Sequence, residues 1–258
     1  MTPAAGLRRR AGGSRAAGRQ ARGKGLCTPR HRRVTTGPDA LMQIPHDVMP
    51  ATATPGQGRC RVTVQAMQVL SVNVARAEMR DINGRRVLTA IGKRPLAGAV
   101  EVGPLGLAGD EQADPAVHGG IAKAVYAYPQ AHYAFWQTVR AQARVSLWDE
   151  PLPPGTLGEN LTVDGLLEGD MFIGDRWHLP GGCVLAVSEP RMPCFKFAAA
   201  MGFAQAVKLM AQSGYCGSYL AVIEPGQIQA GEVAELLPGP REVNIRELFM
   251  AKMKRKTF

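Results

Sequence analysis

The chain has 258 residues, 45% of them hydrophobic, and a formal net charge of +10. This length suits one sizeable domain with tails or two small domains, and the composition supplies enough apolar residues for a core. The excess charge sits at the head, where residues 1–66 carry twelve Lys and Arg against Asp39 and Asp47, and the remainder holds nineteen basic and nineteen acidic residues. The overall pI is therefore no argument for nucleic-acid binding by the folded part. No apolar run is long enough to cross a bilayer, so no membrane association is expected, and the head lacks the apolar stretch of a secretory signal. Five cysteines (Cys27, Cys60, Cys183, Cys194 and Cys216) form no CxxC or Cys/His zinc spacing, which points to free thiols in a reducing, cytoplasmic compartment.

In chain order, residues 1–66 are rich in Arg, Gly, Ala, Pro and Thr without a hydrophobic period, and are expected to be a disordered extension. Their composition superficially resembles a targeting peptide; the plainer expectation is a misassigned start, with Met42, Met49 or Met67 as the true one. Gln68–Val74 alternates as a half-buried strand does. Asn83-Gly84 between Ile82 and Arg86–Ala90 predicts a hairpin, and Ala97–Val102 predicts a strand that turns at Gly103–Leu107. Lys123–Tyr128 reads as a strand stopped by Pro129, which opens a helix running to about Arg144. Pro151, Pro153, Pro154 and Gly155 make Trp148–Gly158 a loop, after which Leu161–Val163 is a strand.

Leu166–Leu179 and Ile228–Leu237 share turns built on Gly-acid pairs: Gly169-Asp170, Gly174-Asp175 and Gly231-Glu232. Cys183–Ser188 and Tyr219–Ile223 read as strands, Glu224–Gln227 as a turn, and Phe203–Gln212 as a helix stopped by Ser213-Gly214. Arg241–Phe249 suits one amphipathic helix, followed by a solvated end at Lys252–Lys256. Eight or nine short strands with two or three helices, no βαβ alternation and no GxGxxG or Walker sequence predict an α+β, β-barrel-like, mostly antiparallel domain over 67–240. Residues 241–258 then form a short C-terminal helix and tail.

Chemistry concentrates at Ser188–Phe197. Pro190 and Pro193 stiffen the chain just before Cys194, and Arg191 and Lys196 are near enough in sequence to lower its thiol pKa. A thiolate ligates a soft metal or attacks an electrophile; the bland alternative is an apolar filler. His118-Gly119-Gly120 forms a second cluster with Lys123, where glycines let backbone N–H groups face an anion, or simply make a turn beside a surface histidine. Gly158-Glu159-Asn160 is a third, with Glu159 orienting a proton or a cation, or serving a turn. His132 and His178 lie in periodic segments and read as structural or exposed, Cys183 and Cys216 as packing, and Met201, Met210, Phe135 and Trp136 as core.

Taken together, Lys93-Arg94-Pro95, Gly106–Asp110, His118–Gly120 with Lys123–Val125, Tyr128-Pro129 with His132-Tyr133 and Trp136, Gly158–Thr162, Ile173–Asp175, and Pro190-Arg191 with Pro193-Cys194 resemble the MOSC domain family in its YiiM-like branch. The resemblance implies a β-barrel-like fold that binds the molybdenum cofactor (molybdopterin), not pyridoxal phosphate. Cys194 would be the protein's ligand to the metal and a catalytic residue together with His118 and Glu159. Arg94, Gly119, Gly120, Lys123, Asn160 and Arg191 would hold the cofactor. The implied activity is a molybdenum-dependent oxidoreductase that reduces small N-hydroxylated bases in detoxification, fed by an external electron-donor reductase. A non-catalytic cofactor carrier or sulfur-transfer module remains the alternative. More distant rivals are a cofactor-free thiol enzyme, with His118 as base to Cys194, and a nucleic-acid binder working through the head. YiiM-like chains often continue into three C-terminal helices, of which 241–258 retains about one, so a homodimer stays open.

Overall fold

The computed structural model describes residues 66–255. The expectations for the head (save Ala66) and for Lys256 lie outside the described residues. The chain opens with β1 (Ala66–Val74), β2 (Glu78–Ile82), β3 (Arg85–Thr89), β4 (Arg94–Pro95), β5 (Val100–Gly103) and β6 (Gly106–Leu107). A short helix α1 (Pro115–His118) and a 3₁₀ turn (Ile121–Lys123) lead to β7 (Val125–Pro129), a second 3₁₀ turn (Gln130–His132) and α2 (Tyr133–Gln142). Next come β8 (Leu161–Asp164), β9 (Arg176–His178), β10 (Val184–Pro190), α3 (Phe195–Met201) and α4 (Ala206–Ser213). The order ends with β11 (Ser218–Glu224), β12 (Gly226–Ile228), β13 (Val233–Leu237) and α5 (Ile245–Arg255).

Seven strands close into a barrel in the order β1-β13-β9-β10-β11-β7-β8 and back to β1, with β4 appended to β1. Closure leaves no edge among the seven, which removes the unpaired backbone groups an open sheet would expose. Among these seven strands only β7 and β8 pair in parallel, with Ala127 opposite Leu161. A parallel pair needs a crossover, supplied here by α2 and the Pro-rich loop after it. β1 alternates exposed and buried residues and then, past an irregularity between Val69 and Ser71, buries Ser71 and Val72 together. Two small sheets stand outside the barrel: β12-β5-β6 and the β2-β3 hairpin. The hairpin turns on Asn83 and Gly84, both at positive φ (55° and 75°), the conformation that the Asn-Gly pair accepts at low cost.

The core is continuous. Trp136, Trp177, Tyr128, Phe197, Met201 and Met210 are fully buried, and α5 adds Ile245, Phe249 and Met253 at its i, i+4, i+8 spacing. Cys183 and Cys216 are packed in it, as their apolar settings predict.

Several elements differ from expectation. Among the described residues there are thirteen short strands, more than the eight or nine counted, because two- and three-residue pairings carry too little pattern to read. Pro129 ends β7 and precedes a 3₁₀ turn, so α2 starts later. Gly226 and Gln227 belong to β12 and pair with β5; they are not a free turn. α3 was not foreseen, although the Ala run and Gly202, which caps it in the left-handed region, are helix signals. The last helix runs over Ile245–Arg255 rather than Arg241–Phe249, and Lys252 is held 3.1 Å from Glu189 rather than solvated.

Candidate functional site

β10 delivers the chain through Pro190 into the Arg191–Pro193 linker, and Cys194 follows as the N-cap of α3. Its side chain faces a cavity of about 90 Å³ that is open to solvent on one side. The base of the β2-β3 hairpin forms one bank (Thr89 to Ile91), and the loop before β7 forms the other, with Asp114, His118 and Lys123. Closed pockets for drug-sized ligands run to roughly 300–1,000 Å³. A large ligand would therefore seat only one end here and lie across the mouth.

Charge is organised around the thiol. Burial alone would push Cys194 up, but a hydrogen bond from His118 and the positive charge of Arg191 outweigh it, lowering the value from 9.0 to about 6. Arg191 is buried and stacked on two rings, 4.9 Å from the centre of Tyr126 and 5.1 Å from that of Phe197. Its guanidinium donates to Leu157 O at 2.7 Å. Burial opposes its charge, yet the phenols of Tyr126 and Tyr219 and the Cys194 thiol together raise its pKa, so the cation stays fixed beside the sulfur.

The opposite wall holds the Lys93–Asp110 ion pair, each side chain only 8% exposed. Burial pushes the Lys93 amine down, and Asp110 partly restores it. Asp110 is anchored twice more, by the Ala75 N–H at 2.8 Å and by Asn160 Nδ2 at 2.9 Å. Asn160 in turn donates to Asn73 O at 3.2 Å and accepts from the Tyr126 N–H at 3.0 Å, locking the wall to β1 and β7. Lys123 donates to Val117 O at 2.8 Å and lies 3.6 Å from Glu189.

Of the residues singled out from the sequence, the structure brings Cys194, His118, Lys123, Asn160 and Arg191 to this cavity. Four others lie elsewhere. Glu159 is sealed beneath the floor, where its Oε1 accepts from the Tyr133 hydroxyl and from the Gly155 N–H at 2.6 Å, and its Oε2 has no partner among the described residues. Burial pushes its carboxyl up, against the hydrogen bond from Tyr133. Gly119 and Gly120 do not line the cavity either. The Gly120 N–H is taken by Gln112 Oε1 at 2.6 Å, and a Cβ on Gly119 would come within 2.4 Å of the same oxygen. The glycine pair thus lets the loop fold tightly on Gln112 and leaves His118 on the open side. Arg94 is exposed and faces a neighbouring groove; Lys93, one residue earlier, takes the place inside.

Sequence reasoning passed over Lys93, Asp110, Tyr126 and Tyr219 as contacts. The first two stand within the quoted motifs but not among the chosen residues, and the tyrosines read as ordinary strand positions. No group of three or more His, Cys, Asp or Glu able to cage a metal occurs among the described residues. A metal at Cys194 would need most of its ligands from an organic cofactor, and the soft thiolate with cations on both banks fits a group carrying sulfur ligands and negative charge. No helix among the described residues is long and apolar enough to cross a membrane.

Residues 114–235 match the MOSC domain family. The chain is 40% identical over 169 residues to the YflK protein of Bacillus subtilis, covering 66% of this chain and 72% of that one. It is 35% identical over 161 residues to the YiiM protein of Escherichia coli, covering 62% and 68%. A protein of Gibberella moniliformis named "Reductase" is 32% identical over 172 residues, 67% of this chain but 29% of that longer one. The crystal structure of YiiM from Geobacillus stearothermophilus superposes with a TM-score of 0.58 at 30% identity, covering 73% of this chain and 85% of that one. The barrel, the Pro-Cys turn at its mouth and these relatives together establish that the chain belongs to the MOSC domain family, with YiiM proteins among its homologues.

Proposed function

We propose that this protein binds the molybdenum cofactor through Cys194 and reduces N-hydroxylated bases, in the cytoplasm, with electrons from an external reductase. The observation that carries the reading is the presentation of Cys194 at the cavity wall, with His118 on the same cavity and the fixed Arg191 cation behind it. A relative named as a reductase supports the reaction class.

In this reading Cys194 supplies the protein's single bond to the metal. Lys93, Lys123 and Arg191 balance the negative charge of cofactor and substrate, and Arg191 keeps its orientation because two rings and a carbonyl hold it. The bound cofactor supplies the two-electron redox chemistry, and the protein supplies binding and orientation. The net change cleaves the N–O bond of R–NH–OH, taking two electrons and two protons to give R–NH₂ and water. His118 lines the cavity beside Cys194, where an imidazole would be the group to pass a proton to the departing oxygen. Asn160 and Asp110 keep Lys93 in position from below. Glu159, sealed under the floor, steadies the loop through Gly155 and touches no substrate.

The test is protein from a host that makes the cofactor, assayed for molybdenum and for reduction of an N-hydroxylated base by a chemical reductant. Bound molybdenum with turnover, both lost in Cys194→Ser, is expected. A fully loaded and active Cys194→Ser protein would reject the assignment of the ligand, and loading without turnover would replace the reductase by a carrier.

A further inference from the structure

Arg94 was expected beside the cofactor, yet it opens onto a second, shallower groove of about 330 Å³ on the other side of the segment that follows β3. The two sites are neighbours in the strict sense: Lys93 lines both, Ile91 faces the Cys194 cavity, and Gly92 and Arg94 face the groove. Helix α3 contributes to both as well, through Lys196 on the cavity side and Ala200 on the groove side, four residues apart and so on one helical face. Two cations face the groove, Arg80 and Arg94, with no carboxylate among the lining residues, while Lys93 borders it but gives its ammonium to Asp110 on the cavity side. Pro95, Pro153 and Pro154 give it stiff walls without competing N–H donors, and Thr156 places a hydroxyl at its margin.

Arg80 is held ready in this groove. Its guanidinium lies flat against Gly92, so closely that a Cβ there would come within 2.7 Å of the terminal nitrogen. Glu78 accepts from its Nε at 2.6 Å along one edge only. That ion pair is about half exposed on both sides, and such surface pairs contribute little net free energy, so an incoming dianion can share or displace it. Ile91 and Arg94 are three residues apart, which limits the distance between their backbones to about 11 Å even in a fully extended chain. A ligand seated at the mouth of the Cys194 cavity has the groove within reach of a short polar spacer.

We propose that this groove is a phosphate subsite, and that the substrate presented to Cys194 is an N-hydroxylated nucleotide in preference to the free base. The inference rests on the reductase reading above and narrows its substrate. The base lies at the cavity mouth, the ribose crosses Lys93, and the 5′-phosphate is received by the Arg80 and Arg94 guanidinium groups, whose planar forks match phosphate oxygens.

The test needs no turnover. Calorimetric titration of the full chain with adenosine and with adenosine 5′-monophosphate, before and after cofactor loading, reads the phosphate contribution directly. The monophosphate is expected to bind at least on the order of tenfold more tightly at low salt, the gain that a single charge-assisted hydrogen bond contributes. Arg80→Ala and Arg94→Ala should each remove most of that advantage and leave adenosine binding unchanged. Gly92→Ala, which forces the Arg80 guanidinium off its seat without removing charge, should reduce it as well. Equal affinity for the two probes, no binding of the monophosphate, or an advantage untouched by all three variants would overturn the subsite. An advantage present only before loading would overturn the assignment to substrate, because the cofactor's own phosphate would then occupy the groove. The two claims fail separately: loaded protein that reduces the free base yet shows no phosphate preference keeps the reductase and loses the subsite. A phosphate preference without turnover of any N-hydroxylated compound keeps the subsite and loses the reductase.

Discussion

His132 is sealed where β7 meets α2, its Nε2 2.7 Å from Glu168 Oε2 and its ring stacked on Tyr215 at 3.8 Å. Glu168 accepts from the Gly217 N–H with its other oxygen at 2.9 Å, so both of its carboxylate oxygens are engaged. His118 stands half-buried at the cavity mouth, on the same cavity as the Cys194 sulfur, and is open to an incoming ligand. The same residue type therefore fastens the fold in one place and prepares chemistry in the other. Saturation decides between the two: a closed network rigidifies, whereas an unsaturated group beside a cavity has capacity left for a ligand.

The contrast can be broken by substitution. The largest effect is expected from Cys194→Ser, which should abolish fast alkylation by iodoacetamide at pH 7 within residues 66–255, read by peptide mapping so that Cys27 and Cys60 of the head are counted apart. The two buried core thiols should react only on unfolding, because burial pushes Cys183 up to about 12 and raises Cys216 as well. Next, Glu168→Ala leaves His132 and the Gly217 N–H without their buried partner and should cost about 1–3 kcal/mol in denaturant unfolding. The alkylation rate of Cys194 in the folded state should not change; a slowed thiol there would show that the two clusters are one network. His118→Gln should raise the pH midpoint of alkylation from about 6 toward the ordinary 9.0 and slow the reaction at pH 7 by roughly tenfold, with little loss of stability.

The remaining effect is in the pH dependence of stability. Between pH 6 and 9 the unfolded chain holds the thiol proton that the folded chain has released from Cys194, so unfolding takes up a proton. Stability of the cofactor-free protein should rise as pH goes from 6 to 9, and this contribution should vanish as pH falls through 6. Comparing unfolding curves of the parent and Cys194→Ser across that window isolates it; identical slopes would show that the thiol is not ionised in the fold.

Much of this molecule is written in short-range pattern. Asn83-Gly84 dictates its hairpin through two positive φ angles, and the prolines around Arg191 mark the turn that presents Cys194. The family is legible too, since its motifs are short and ordered along the chain. The helix after Cys194 was hidden behind those prolines, and the two- and three-residue strands were too short to show a period. Lys93 with Asp110, Tyr126 with Arg191 and Glu159 with Tyr133 meet only because the barrel closes, as no local spacing links them.

By itself the sequence determined the class of fold, the hairpin, the Pro-Cys turn and the separation of a basic head from a neutral body, because propensity, turn chemistry and charge act within a few residues. Tertiary structure alone decided which side chains meet a ligand. Pairing of β4 with β1, Arg94 opposite Val74, turns Lys93 inward and Arg94 outward. In extended chain, neighbours point to opposite sides, so a shift of one residue in that register would exchange them.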